Sequence, residues 1–351
     1  MTAEKHPDPG GAFAAAAPHP DPLPVIPGSS PGREREGPGP KSRGDEGLLP
    51  GADPSDIRPD DWVERLVPAA LRPYARLARL DRPIGTWLLL FPAWWGIALA
   101  AKGWPDPFLL ALFALGAVAM RGAGCTLNDI ADRHYDGMVA RTRRRPLPSG
   151  AVGIAGALAF LALQLAIGAA VLLSLNRTSI LLGLAVLALI VPYPFMKRIT
   201  YWPQVFLGLN FNWGALLGWT AVRGTLALPP LLLYLGGVLW TIGYDTIYAH
   251  QDKEDDARIG VKSSALALGE RTRPFLFLFY AAAAGLWAAA GATAGLKPPF
   301  WFGLAAALSQ LCWQAARVAT GNPADCLAKF RSNRWVGWLM LLGIVAGRLA
   351  Q

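Results

Sequence analysis

The chain has 351 residues, of which 53% are hydrophobic and only 16% charged, and its mean hydropathy is positive. Water-soluble domains carry about 25% charged residues, so this composition excludes an ordinary soluble fold. The net charge of +9 invites a nucleic-acid partner. The basic residues follow the plan of a membrane protein instead, and no nucleic acid is expected.

Residues 1–60 are rich in Pro, Gly, Ala, Ser and mixed charge, as in Pro31-Gly-Arg-Glu-Arg-Glu-Gly-Pro-Gly-Pro40. Such a segment cannot bury enough apolar surface to order itself. No apolar core follows its start, so it is not a secretory signal, and Glu4 and Asp8 count against a mitochondrial presequence. A disordered cytoplasmic tail is expected over residues 1–60, followed by a transmembrane domain over 61–351. At the junction, Trp62, Leu66, Val67, Leu71, Tyr74, Leu77 and Leu80 alternate with arginines. That pattern predicts an amphipathic helix lying on the membrane surface.

Beyond it, the stretches 87–101, 108–120, 151–175, 180–193, 205–222, 226–244, 275–296, 300–313 and 335–347 are almost free of charge. A helix needs about 20 residues to cross hydrocarbon, and the Trp, Gly and neutral polar flanks extend the shorter runs to that length. The prediction is an all-α, multi-pass protein with nine transmembrane helices. The segment before the first run and alternate loops after it carry nearly all the basic residues: Arg65 to Arg82, Arg133 to Arg145, Lys197 and Arg198, Lys253 to Arg273, and Lys329 to Arg334. The opposite loops hold Lys102, Arg177, Arg223, Lys297 and Arg348. The positive-inside rule makes the first set and the N-terminus cytoplasmic. The expected location is a bacterial inner membrane, with the mitochondrial inner membrane as the alternative. Cys125, Cys312 and Cys326 have no paired spacing, so neither a disulfide framework nor a zinc site is indicated.

Two acidic clusters close even-numbered spans. In Asn128-Asp-Ile-Ala-Asp132-Arg-His-Tyr-Asp136, positions 128, 132 and 136 stack along one helical stripe with modest drift. In Asp245-Thr-Ile-Tyr248-Ala-His-Gln-Asp252-Lys-Glu-Asp255-Asp256, positions 245, 248, 252 and 256 again predict one helical face. Ionisable groups at membrane depth are costly and mark functional sites. Crowded carboxylates call for a cation, and Mg²⁺ favours carboxylate oxygens completed by substrate phosphates. His134 and His250 stand beside the clusters, but Mg²⁺ prefers oxygen. Basic residues follow each cluster, Arg141-Thr-Arg-Arg-Arg145-Pro and Ile259-Gly-Val-Lys262-Ser. Carboxylates, a divalent cation and Arg/Lys side chains together suit a diphosphate.

Both motifs resemble those of the UbiA superfamily of intramembrane prenyltransferases, and more narrowly its 4-hydroxybenzoate polyprenyltransferases of ubiquinone synthesis. The resemblance extends to Leu80-Asp-Arg-Pro-Ile-Gly-Thr-Trp, Tyr193-Pro-Phe-Met-Lys-Arg198, Trp202-Pro-Gln204 and Phe330-Arg-Ser-Asn-Arg-Trp-Val-Gly337, and so covers roughly residues 70–351. One departure is Tyr248, where many members place an aspartate. The resemblance implies nine helices around a central cavity open to membrane lipid, with polyprenyl diphosphate and 4-hydroxybenzoate as substrates. Asn128, Asp132 and Asp136 would hold one Mg²⁺ and Asp252 and Asp256 another, with Asp129 and Asp245 assisting. Arg141, Arg145, Lys197 and Lys262 would grip the diphosphate. Tyr248 would lie against substrate, and Arg82 or Arg198 would anchor the acceptor's carboxylate. Another aromatic acceptor stays open as an alternative. A transporter is disfavoured, because the acids sit at one membrane face only.

Overall fold

The computed structural model describes residues 61–136 and 142–351. The tail over residues 1–60 and Arg141 lie outside the described residues. Among them every regular element is helical.

Two short helices, α1 Trp62–Leu66 and α2 Arg72–Leu77, stand where the sequence pattern predicts one amphipathic helix. Pro68 divides it. The residue before a proline is driven to extended backbone, and Val67 adopts φ −93° and ψ 131°. The carboxylate of Asp61 caps α1 by accepting from the Glu64 amide at 2.9 Å. Glu64 in turn accepts from Arg72 at 2.6 Å and Arg76 at 2.5 Å, which folds α2 back beside α1. Leu66 and Leu71 remain exposed among these arginines, as a surface-lying amphipathic helix requires.

The chain continues as α3 Ile84–Ala100, α4 Pro107–Asp136 and α5 Ile154–Leu173. A segmented rod follows, α6 Arg177–Ala185, α7 Leu187–Ile190 and α8 Met196–Ile199, interrupted where Pro192 and Pro194 remove backbone donors. Then come α9 Pro203–Asn212, α10 Gly214–Arg223, α11 Leu228–Ala249, α12 Lys253–Ile259, α13 Ser264–Leu268, α14 Thr272–Thr293, α15 Pro299–Arg317 and α16 Pro323–Leu349. Five stretches are long and apolar enough to cross a membrane: Pro107–Arg133, Ile154–Leu173, Arg177–Ile199, Pro203–Arg223 and Ser264–Thr293. The apolar helix Ile84–Ala100 is shorter, at 17 residues. α5 is apolar on every face yet buries only Ala157 and Gln164. Such a surface is stable against lipid, not water.

The core is aromatic. Trp95, Trp240 and Trp287 are fully buried, with ring centroids 5.3–6.0 Å apart. Each indole N–H finds an acceptor: Gly337 O at 2.9 Å, Asn333 Oδ1 at 2.8 Å and Leu233 O at 3.3 Å. These bonds tie α3 and α11 to α16, and α14 to α11. Helices meet closely where a glycine on one faces an alanine on the other. A methyl on Gly96 would strike the Ala215 carbonyl, and one on Gly218 the Ala93 carbonyl, so α3 and α10 cross backbone to backbone. Where α3 ends, the Arg348 guanidinium of α16 donates through Nε to Leu99 O at 3.0 Å and through Nη1 to Ala294 O at 3.1 Å. Both carbonyls lie at helix C-termini, where the helix itself supplies no donor.

Candidate functional site

The first acidic cluster forms the last turns of α4, as predicted, but its stripe divides. At 3.6 residues per turn each step of four advances about 40°, so Asp136 sits about 80° from Asn128 and only about 20° from Asp129. The contacts follow that arithmetic. Asn128 Nδ2 donates to Asp132 Oδ2 at 3.1 Å. Asp129 is fully buried, and a single terminal nitrogen of Arg79 bridges its two oxygens at 2.6 and 2.9 Å. Arg145 Nη1 donates to Asp136 Oδ2 at 2.9 Å and lies 3.4 Å from Asp129 Oδ1. Thr142 Oγ1 donates to the Asp136 carbonyl at 2.8 Å.

The second cluster does not lie on one helix. α11 stops at Ala249, and α12 begins at Lys253 with Asp252 as its N-cap residue. The expected single face over 245, 248, 252 and 256 is therefore corrected to two pairs on separate helices. His250 stands at the break. It is buried with Nε2 2.9 Å from Thr272 Oγ1, and burial together with nearby Lys253 pushes its imidazole down to about 4. A neutral ring held in a side-chain bond is a structural element here. Tyr248 packs its ring against Phe330, with centroids 4.5 Å apart.

Past α12 the backbone turns at Gly260, φ 72°, a left-handed conformation that glycine adopts without steric cost. That turn returns Lys262 to α8, where its amide donates to Lys197 O at 2.9 Å and its ammonium to Ile199 O at 3.1 Å. Lys197, Arg198 and Lys262 are thus gathered at one place. Asp256, Lys262, Tyr201, Gly260, Val261 and Leu266 line a cleft of about 350 Å³. Asp245 lies within electrostatic reach of Lys197 and Arg121. Arg82 is held by its neighbour Asp81, whose Oδ2 accepts from Nε at 3.0 Å and lies 2.9 Å from Nη2.

Arg121 escaped notice in the sequence because it ends an apolar run and looks like a span boundary. It lies inside α4, seven residues before Asn128, so it shares that residue's face about 10 Å deeper. Its guanidinium stands 5.7 Å from the centre of the Phe211 ring. The heptad spacing to Asn128 was the signal available.

Among the described residues no three His, Cys, Asp or Glu side chains converge as a complete metal cage. The donor set nevertheless suits Mg²⁺. It is oxygen-only and offers one or two side chains per helix, the pattern of ions completed by substrate phosphates.

Residues 89–344 match the UbiA prenyltransferase family, and the chain belongs to that family. It is similar to 4-hydroxybenzoate polyprenyltransferase, mitochondrial, of Arabidopsis thaliana, at 49% identity over 298 residues, covering 84% of this chain and 73% of that protein. The Bos taurus protein of the same name is 50% identical over 295 residues, covering 82% and 79%. Among solved structures, an apo UbiA homolog from Aeropyrum pernix K1 aligns with TM-score 0.64 at 29% identity, covering 74% of this chain and 96% of that one. A UbiA homolog from Archaeoglobus fulgidus bound to GPP and Mg²⁺ shares the fold, with TM-score 0.56 at 18% identity, covering 80% and 100%. The relatives also correct the expected bacterial inner membrane. They are mitochondrial proteins of eukaryotes and point to mitochondria instead. Span length and basic-loop asymmetry do not distinguish the two membranes, and two early acids were too slight a signal to carry the choice.

Proposed function

We propose that this protein transfers a polyprenyl group from polyprenyl diphosphate to the ring carbon of 4-hydroxybenzoate ortho to its hydroxyl, releasing diphosphate, in ubiquinone synthesis. The observation that carries this reading is a site with two chemical levels on one helix face. Oxygen donors Asn128 and Asp132 stand at the end of α4, and the cation Arg121 lies about two turns deeper. The upper level suits a metal-bound diphosphate and the lower one the acceptor's carboxylate. The close similarity to proteins named for this activity supports the same conclusion.

In this reading residues 61–351 form the membrane domain. α3, α11, α15 and α16 cross the bilayer beside the five apolar stretches, making nine spans around a central cavity open to lipid. With 17 residues, α3 measures about 25 Å, close to the hydrocarbon thickness. Asn128 and Asp132 would hold one Mg²⁺, and Asp252 and Asp256 the other, with Asp245 nearby, while Asp136, turned from Asn128, holds Arg145 in place. When bound, Mg²⁺ neutralises charge on the diphosphate oxygens and makes the group a better leaving group.

The chain's own residues do the rest. Arg145, Lys197 and Lys262, with Arg141 in the segment between α4 and α5, take the remaining phosphate charge. The allylic C–O bond breaks with its electron pair going to the diphosphate. The ring carbon attacks the allylic cation and then loses its proton, restoring the aromatic ring. Arg121 orients the acceptor, and the apolar walls keep water from the cation. Purified protein given Mg²⁺, a polyprenyl diphosphate and a panel of 4-hydroxybenzoate, homogentisate and a hydroxynaphthoate tests the reading by product mass. A prenyl adduct of 4-hydroxybenzoate is expected. Prenylation of only another acceptor would refute it.

A further inference from the structure

We infer that Asp129, although it lies inside the Asn-Asp-x-x-Asp run, is a positioning residue that holds Arg79 and Arg145 in place. The geometry turns it away from the donors at the cavity. It is rotated about 100° from Asn128 around α4, and its side chain is 1% exposed. Its oxygens are occupied by Arg79 at 2.6 and 2.9 Å, with Arg145 at 3.4 Å.

Arg79 is built for this contact. It has φ 57° and is the one non-glycine with positive φ among the described residues. A left-handed arginine persists only where its surroundings over-determine it. Here its Nη1 also donates to Arg76 O at 3.2 Å, and its own carbonyl accepts the Arg82 amide at 3.1 Å. The junction between α2 and α3 is therefore fastened to the end of α4 through one buried carboxylate. Because Arg145 Nη1 also donates to Asp136, Asp129 sets the place of a site cation and a site carboxylate together. Among the described residues the four groups Arg79, Arg145, Asp129 and Asp136 carry two positive and two negative charges, which balance. This is the condition under which buried charge is tolerated.

This inference deepens the proposed reaction and rests on it, but its test separates the two. Three single variants are needed, Asp129→Asn, Arg79→Gly and Arg79→Lys, together with the double variant Asp129→Asn/Arg79→Gly. Glycine removes the guanidinium and relaxes the left-handed backbone at once, so a loss of function there does not come from backbone strain. Binding is read without turnover, by electron paramagnetic resonance of Mn²⁺ in the presence of a non-hydrolysable prenyl diphosphate analogue. Asp132→Asn serves as the control expected to weaken Mn²⁺ binding.

The positioning role predicts that Asp129→Asn binds Mn²⁺ like the wild type. Its kcat should fall on the order of ten- to a hundredfold, the cost of a misplaced site group, with KM for the aromatic acid unchanged. Arg79→Gly should give the same defect, the double variant no further loss, and Arg79→Lys a partial rescue. Mn²⁺ binding weakened in Asp129→Asn as in the Asp132 control, with Arg79→Gly fully active, would overturn the inference and make Asp129 a ligand. If the wild-type protein fails to prenylate 4-hydroxybenzoate, the proposed reaction falls, and the Mn²⁺ measurement still decides the role of Asp129.

Discussion

Replacing Arg121 is the sharpest probe of how the acceptor is held. The guanidinium is half-buried within α4, within electrostatic reach of Asp245 and 5.7 Å from the centre of the Phe211 ring. A charge-assisted contact is worth about 1.5–3 kcal/mol, and partial exposure places this one in the lower half, about 1.5–2 kcal/mol. At 1.36 kcal/mol per decade, Arg121→Leu should raise KM for 4-hydroxybenzoate roughly ten- to thirtyfold. KM for the prenyl diphosphate should change by less than about threefold, because that substrate is held by other residues. Arg121→Lys keeps the charge without the planar fork and should fall between the two. Initial rates over a grid of both substrates give the constants, and 4-hydroxybenzamide supplies the control. Wild type should discriminate strongly against this neutral analogue, and Arg121→Leu much less. Undiminished discrimination in Arg121→Leu would refute the assignment and return attention to Arg82 and Arg198.

Asp132→Ala and Asp252→Ala should each abolish turnover while leaving expression and membrane insertion intact, and EDTA should silence the wild type until Mg²⁺ is restored. Full activity in chelator would exclude the metal. Reporters placed after Gln351 and near Gly150 should fall on opposite membrane faces, and finding both on one face would mean a span miscounted. Gly218→Ala forces a methyl against the Ala93 carbonyl. Overpacking of this kind costs about 1–3 kcal/mol and should lower the thermal inactivation temperature in detergent. An unchanged temperature would show that α3 and α10 can separate freely.

Much of this molecule can be read from residue order because lipid imposes a coarse rule: apolar stretches, basic loops on one side, acids only where they serve. The α4 cluster was legible on that basis. Its division into Asn128/Asp132 and Asp129/Asp136 was not, because a 40° drift per step decides which neighbour each carboxylate meets. Arg79 lies 50 residues before Asp129, and no local spacing announces the pair. The second cluster misled for a different reason. Intervals of three and four look the same whether a helix continues or stops, and it stops where His250 turns inward to Thr272. Arg121 was hidden by being charged, since a search for apolar runs ends at the first charge it meets.

The Arg348 clamp has a consequence for how the chain is made. Leu99 O receives its donor from a residue 249 positions downstream. An unpaired carbonyl within a bilayer costs several kcal/mol. During synthesis α3 must therefore wait, its end shielded by water at the membrane edge or by the insertion machinery, until α16 has emerged. That end of α3 is fastened last, when Arg348 arrives, and a chain stalled within α16 would lack both that helix's final turns and the clamp they carry.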